Sequence, residues 1–562
     1  MIKYIGILLL STALTAIEPV KVHVPLVTYG EPTTRQDVGE VDQSAQVIMP
    51  ELRGITITNR QKVLSEEGKI AIEGVSLPGP ENSLKERLMP FIGQPVTLNT
   101  VQEIRKTVTS YYYRYHHPIV DVSIPEQALS SGRLTVIVKE AKVGNVCVKG
   151  NKHFKENKIA SSISMNPGEE IDTYQLIQDL NWINRNPFRD ANAIFSPSTT
   201  EGYTDLDILL EDQFPLRVFA GMDNAGYKET GRTRFFAGFN WGNVFGFDHI
   251  LSYQFTTGTD YSKFWSHSGQ YIVPLPWRHV FSMFGGYSRV KTDISTFPGM
   301  KTDGYSAQAS ARYEIPLPFP RSCVLQQIEF GFDYKRSNTN LDFEGDFVFG
   351  QPVNITELMA GYRIGVDNDW NKLSFVCELF YSPGKWLGDQ GNSVYSRLRP
   401  GAKTAFAYVR GAIEPVLYFP WKFSLYGSYR FQVASGNLLA SEQFGLGGYN
   451  TVRGYDERIV NGDHAVLISN ELRTPPIHFF KLKEGKIQDE LLFLVFLDYG
   501  IGFPDKPTSG EKHSEYLIGI GPGVRYMILP YLTFRGDLGF KMHKVPGDDQ
   551  TLRFNFQLVA SY

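Results

Sequence analysis

The chain has 562 residues and a formal charge of −3, so it lacks the basic field that nucleic-acid binding requires. Aromatic residues make up 13%, with 30 Tyr and 38 Phe beside 52 Gly, a mix that favours strands over helices. Cys147, Cys323 and Cys377 are odd in number and far apart, which excludes a disulfide framework and any CxxC metal spacing.

At the N-terminus Lys3 precedes a short apolar run that ends in small residues at Ala13 and Ala16. This predicts a secretory signal peptide over 1–16, too short to span a bilayer as a helix. No later stretch approaches the ~18 uncharged apolar residues of a membrane helix. An exported chain of this kind is either soluble or a β-barrel. Residues 17–48 carry Pro19, Pro25 and Pro32 among polar residues, which predicts a linker.

A first module spans 49–139. Strands are expected at Leu52–Thr58, Ile70–Val75, Ile119–Ile124 and Arg133–Val138, and a helix at Ser83–Phe91. A second helix over Asn99–Tyr115 places Val101, Ile104, Val108, Tyr111 and Tyr115 on one face. A second module spans 140–212 and repeats the plan. Strands are expected at Val143–Val148, Ala193–Ser196 and Asp205–Leu210, and a helix at Glu156–Ile163. Asp172 and Gln175 have the spacing of a capping box for a further helix carrying Leu176, Leu180 and Ile183. Both modules read β-α-α-β-β, and both offer edge strands to an extended peptide.

From Leu216 onward no helix is expected. Segments of about ten residues alternate apolar and polar faces, as in a membrane barrel with a wet lumen. Phe423, Leu425, Gly427, Tyr429 and Phe431 share one such face. Tyr271-Ile-Val-Pro-Leu-Pro-Trp277 recurs as Tyr313-Glu-Ile-Pro-Leu-Pro-Phe319. Further turns are expected near Gly242–Phe247, Asp367–Asn371, Pro415–Trp421, Thr474–Ile477 and Leu529–Pro530. Aromatic flanks at these turns suit an interfacial girdle. Seven turns on one side predict about sixteen antiparallel strands over 213–562. Phe554, Phe556, Leu558, Ala560 and Tyr562 alternate to the last residue, as a closing strand would.

This count makes 433–463 the sixth outer loop. It holds a glycine-rich run, Gly445-Leu-Gly-Gly-Tyr-Asn-Thr-Val452-Arg453-Gly454-Tyr455. Gly445, Gly447, Gly448 and Gly454 permit positive φ, so the loop can turn tightly into a narrow lumen. Arg453 offers a planar fork that suits a carboxylate. A carboxylate follows in Phe496-Leu-Asp498-Tyr-Gly500, where Leu492, Leu494, Phe496 and Asp498 share a face that an ionised Asp would turn to the wet side.

In this order the motifs resemble the two-partner secretion transporters, the haemolysin and haemagglutinin secretion proteins of the outer-membrane barrel-assembly superfamily. Ile124-Pro125-Glu126-Gln127 with Gly132 and Leu134 is similar to the family's V-P-x-Q…G-x-L. Leu180-Asn-Trp-Ile-Asn184-Arg185-Asn186-Pro187 is similar to its L-N-R-N-P. Asp223, Asn224 and Gly226, with Thr230-Gly231, resemble its first-strand D-N-x-G…T-G. The resemblance covers about 52–562. It implies two periplasmic POTRA modules, a sixteen-stranded barrel, and a sixth loop folded into the pore with Arg453 against Asp498. It also implies a large unfolded β-helical exoprotein as client, outer-membrane lipid around the barrel, insertion by the barrel-assembly machinery, and no nucleotide or other cofactor. Many members begin with a pore-plugging helix, and the proline-bearing 17–48 departs from that pattern. An assembly insertase of the same superfamily and a passive porin are the alternatives.

The Gly445–Gly448 run lacks the Gly-Lys-Ser/Thr of a P-loop. His116-His117 lack HExxH-like spacing, which argues against a metal role. With no nucleophile elbow and no acid–base pair, no catalytic residues are expected.

Overall fold

The computed structural model describes residues 27–29, 47–60, 68–127, 131–228, 230–293, 300–318, 324–343, 346–349, 352–368, 370–480, 488–508, 510–548 and 550–562. The expected signal peptide, Cys323 and most of 17–48 lie outside them. The described residues form two compact units, one within His23–Gln213 and one within Phe214–Tyr562.

The first unit holds β1 (Val27–Tyr29), β2 (Val47–Met49), β3 (Gly54–Thr58), β4 (Ile70–Glu73), α1 (Glu81–Leu88), β5 (Val96–Thr97), α2 (Leu98–Arg114), β6 (Val120–Ser123) and β7 (Arg133–Glu140). It continues with β8 (Lys142–Lys149), α3 (Glu156–Ala160), α4 (Thr173–Ile183), β9 (Arg189–Pro197) and β10 (Tyr203–Asp212). The first module is a sheet in the order β4-β3-β7-β6 under α1 and α2. Thr97 caps α2 by accepting a hydrogen bond from Thr100 N at 3.2 Å, so the helix starts one residue earlier than the sequence suggests. Ile104, Val108 and Tyr111 are fully buried as expected, joined by Tyr112, while Val101 and Tyr115 pack at the margin.

The second module is a sheet in the order β1-β9-β10-β8 under α4. Two expectations change here. Asp172 caps α4 by accepting from Tyr174 N and Gln175 N, but Gln175 Nε2 donates to Asp179 at 3.2 Å. The reciprocal half of the capping box is therefore missing, because a buried acid on the next turn takes its donor. The linker also contains a strand. Val27–Tyr29 lies parallel to β9, pairing Val27 with Ala193 and Tyr29 with Phe195. Valine, threonine and tyrosine suit a sheet edge, and β9 would otherwise leave its backbone groups open. Only Ala141 separates β7 from β8, so the modules meet closely. Ile119 packs against the second core, and Thr173 N and Oγ1 both donate to His116 O at 2.9 Å.

The second unit is a closed antiparallel barrel. Its strands are β11 (Leu216–Asp223), β12 (Arg234–Val244), β13 (His249–Gly258), β14 (Phe264–Pro274), β15 (Val280–Asp293), β16 (Met300–Leu317), β17 (Val324–Phe343), β18 (Asp346–Phe349), β19 (Val353–Asp367) and β20 (Asn371–Ser382). After α5 (Asn392–Leu398) follow β21 (Phe406–Tyr418), β22 (Ser424–Ala434), β23 (Phe444–Leu446), β24 (Val460–Gly462), β25 (His464–Arg473), β26 (Gln488–Phe503), β27 (Glu515–Leu529), β28 (Leu532–Lys541) and β29 (Leu552–Ser561). Because β17 pairs directly with β19, and β18 only extends the far end of β17, the wall has sixteen strands. The strand β11 closes it on β29.

Each of the expected turns lies at or beside a junction between paired strands. Trp277, Trp370 and Trp421 stand exposed at these turns, as an interfacial girdle requires. One expectation fails, since α5 occupies the loop between β20 and β21. Its seven residues are too few to show helical periodicity. What holds α5 is tertiary: Val394 and Tyr395 are buried, and Tyr395 Oη donates to Asn354 O at 2.7 Å.

Candidate functional site

The sixth loop runs between β22 and β25 and contains the β23–β24 hairpin. Gly447, Gly448 and Gly454 have positive φ, whereas Gly445 does not and lies in β23 against Arg458. Strand β26 receives the loop. Leu494, Phe496, Asp498 and Gly500 are buried on the inner face, and Phe493, Val495 and Leu497 are exposed on the outer one. Asp498 faces inward as its charge demands, yet it is 0% exposed, so its side of the wall is covered rather than wet.

Arg453 covers it. Its Nε donates to Asp498 Oδ2 at 2.7 Å and its Nη2 to Asp498 Oδ1 at 2.8 Å, a bidentate pair. The Arg453 backbone N–H adds a third bond to Oδ2 at 3.0 Å. Its Nη1 donates to Glu471 Oε1 at 2.6 Å, and the guanidinium lies 3.6 Å from the centroid of the Phe496 ring. Ser469 Oγ donates to Asp498 Oδ1 at 2.6 Å, which satisfies the carboxylate further. Desolvated charges are tolerated only when bonded this fully.

The flanking residues set the depth of the loop. Val452 is buried with Leu446, Leu467 and Leu517. A Cβ on Gly500 would collide with Val452 and Leu446, so glycine there lets the loop reach the wall. Gly454, at φ +101°, adopts a backbone conformation unfavourable to other residues and lies against Gly539. The Tyr455 hydroxyl is buried among backbone groups of β27 and of the loop after β28. It lies 3.0 Å from Ile518 O and 2.6 Å from His543 O.

Sequence reasoning missed several participants. Glu471 also accepts from Arg473 and Arg525, and Asp537 accepts from Arg525 and Arg535. Their signal was charge alternating with apolar residues along β25 and β28. Two further anchors fix the loop's ends. Glu442 accepts from Lys335 Nζ at 2.7 Å and from Tyr408 Oη at 2.9 Å. Arg399, just after α5, grips Asp463 at 2.6 and 2.7 Å.

The first-strand residues lie apart from this cluster, at the barrel seam. Asp223 accepts from Ala225 N at 2.9 Å and shapes the strand end. Asn224 Nδ2 donates to Phe554 O at 2.6 Å, and Phe556 N donates to Asn224 Oδ1 at 3.0 Å. Gly226 N donates to Arg232 O at 2.7 Å, and a Cβ on Gly226 would strike that loop's backbone.

A family model for the haemolysin secretion/activation proteins ShlB/FhaC/HecB matches residues 202–526. The heme/hemopexin transporter protein HuxB of Haemophilus influenzae is 22% identical over 458 residues, covering 79% of this chain and 77% of that protein. The outer membrane transporter CdiB of Dickeya dadantii is 21% identical, covering 68% and 67%. Among solved structures, CdiB from Escherichia coli superposes with a TM-score of 0.75 at 15% identity, covering 94% of this chain and 93% of that one. CdiB from Acinetobacter baumannii gives 0.67 at 14% identity, covering 98% and 96%. The barrel and its two α+β POTRA modules thus have the fold of these transporters. The chain belongs to the ShlB/FhaC/HecB family of haemolysin secretion/activation proteins, the two-partner secretion transporters of the outer membrane.

Proposed function

We propose that the POTRA modules take up one large secreted protein in an unfolded state, and that the barrel exports it under control of the sixth loop. The observation that carries this reading is the Arg453–Asp498 contact, in which one bidentate pair holds a long loop against the inner wall. A contact concentrated in a few side chains can be exchanged as a unit, which suits a gate. Capture of the client proceeds by strand addition, in which backbone pairing tolerates many sequences. Support comes from the chain's own Val27–Tyr29, which adds to β9 in this manner. The client is a large exoprotein of repeating β-structure, and its folding outside the cell biases its diffusion outward. HuxB and CdiB are named as transporters, in keeping with such a client.

The test compares secreted and periplasmic proteins with and without the gene. Loss of one large protein from the medium, with its accumulation or degradation in the periplasm, is the expected result. Depletion of many barrels would instead mark an insertase, and a fall in small-solute uptake alone would mark a porin.

A further inference from the structure

His117, Glu140 and Glu170 converge where the two modules meet. His117 follows α2, Glu140 ends β7, and Glu170 precedes α4, so three separate segments supply them. One ligand atom from each lies within 4.8 Å of the other two. His117 Nδ1 sits 2.7 Å from Glu140 Oε2. The neighbouring cation is Lys142, whose backbone bridges to Glu170. Desolvation holds the Glu170 carboxyl above its usual range, and the Glu140 charge adds to this.

A separate observation lies on α2. Tyr112 on α2 is fully buried, and its hydroxyl has no hydrogen-bond partner among the described residues. Leaving such a group unpaired is costly. Burial, and then the nearby charges of Glu140 and Glu170, push this phenol up. A cation held by the carboxylates would carry a water, and such a water would offer the hydroxyl a partner.

We propose that His117, Glu140 and Glu170 bind one zinc ion that staples the first POTRA module to the second, with a bound water in the fourth position facing Tyr112. An imidazole with two carboxylates suits zinc, whereas calcium and magnesium prefer all-oxygen shells. Three protein ligands and a water form a known zinc arrangement with bonds of about 2.0–2.2 Å. The three ligand atoms, within 4.8 Å of one another, would draw together around a bound ion. His116 takes no part, since its ring packs on Tyr174 and its carbonyl accepts from Thr173. The sequence hid the site because its ligands come from three segments and not from one helix.

The test uses the full chain in detergent micelles, stripped by chelator and titrated calorimetrically with zinc or magnesium. Wild type should bind one zinc equivalent that magnesium does not displace. Glu170→Gln alters an exposed side chain and keeps the fold; it should weaken that binding at least tenfold, as should His117→Gln. Tyr112→Phe should weaken it about 10–100-fold, the usual effect of an outer partner. Zinc-edge anomalous scattering from crystals grown with zinc should peak between the three residues. An unchanged zinc isotherm in Glu170→Gln, or an anomalous peak elsewhere only, would overturn the proposal.

Discussion

At the scale of single residues, the Arg453–Asp498 pairing was legible because two patterns in the residues agreed with what the family resemblance implies. Alternation put Asp498 on a definite face of β26, and turn counting put Arg453 in the loop above it. Glu471 and Asp537 were not legible as partners, since they reach Arg453 through register and barrel curvature, which no local spacing encodes. Ser469 lies opposite Asp498 and Glu471 opposite Phe496 only because β25 and β26 pair as they do. These neighbours change what a charge swap should do. Removing either buried partner should cost the loop's attachment ~3–5 kcal/mol. Arg453→Ala should therefore leave the barrel inserted, raise channel conductance and lower secretion. Exchanging Arg453→Asp with Asp498→Arg should rescue little, because Glu471 would then face an aspartate. Adding Glu471→Gln should improve the rescue. Single-channel recording and a secretion assay on the set check this, and wild-type behaviour of Arg453→Ala in both would remove the loop lock from the mechanism.

At the scale of elements, strands and turns followed from alternation and proline placement, while α5 and β1 did not. Both are short and owe their form to what they pack on. The barrel seam is another tertiary device. The β11–β29 ladder has only five paired positions, from Phe219–Ser561 to Asp223–Gln557. Asn224 extends it with two side-chain bonds to the last strand. At ~0.5–1.5 kcal/mol for each bond, Asn224→Ala should destabilise the barrel by ~1–3 kcal/mol. Asn224→Asp can still accept from Phe556 N but cannot donate to Phe554 O, so it should lose the donating bond alone. The temperature at which the folded barrel loses its fast electrophoretic mobility should fall in the order wild type, Asn224→Asp, Asn224→Ala. Equal midpoints for the three would mean that the seam does not depend on Asn224.

At the scale of the whole molecule, each unit is completed by its own residues. Every wall strand from β11 to β29 pairs with another strand of the barrel, and the loop anchors Glu442, Arg453 and Asp463 all bond within Phe214–Tyr562. The POTRA sheets close on their own strands, and the second takes even its edge partner from the N-terminal segment. Barrel stability and loop position therefore should not need the modules, whereas the proposed capture of an extended client should need their edges. A chain carrying the signal segment joined to 214–562 should insert, show heat-modifiable mobility and protect the sixth loop from protease as the full chain does. It should nevertheless fail to secrete, because nothing presents the client's first segment to the lumen. Protease mapping of the loop reads the first half of this expectation, and client in the medium reads the second. A truncated chain that secretes at the full rate would mean that the barrel itself selects the client. A truncated chain with an exposed loop would mean instead that the modules hold the lock closed, and Arg453 would then be only one part of a gate that reaches across both units.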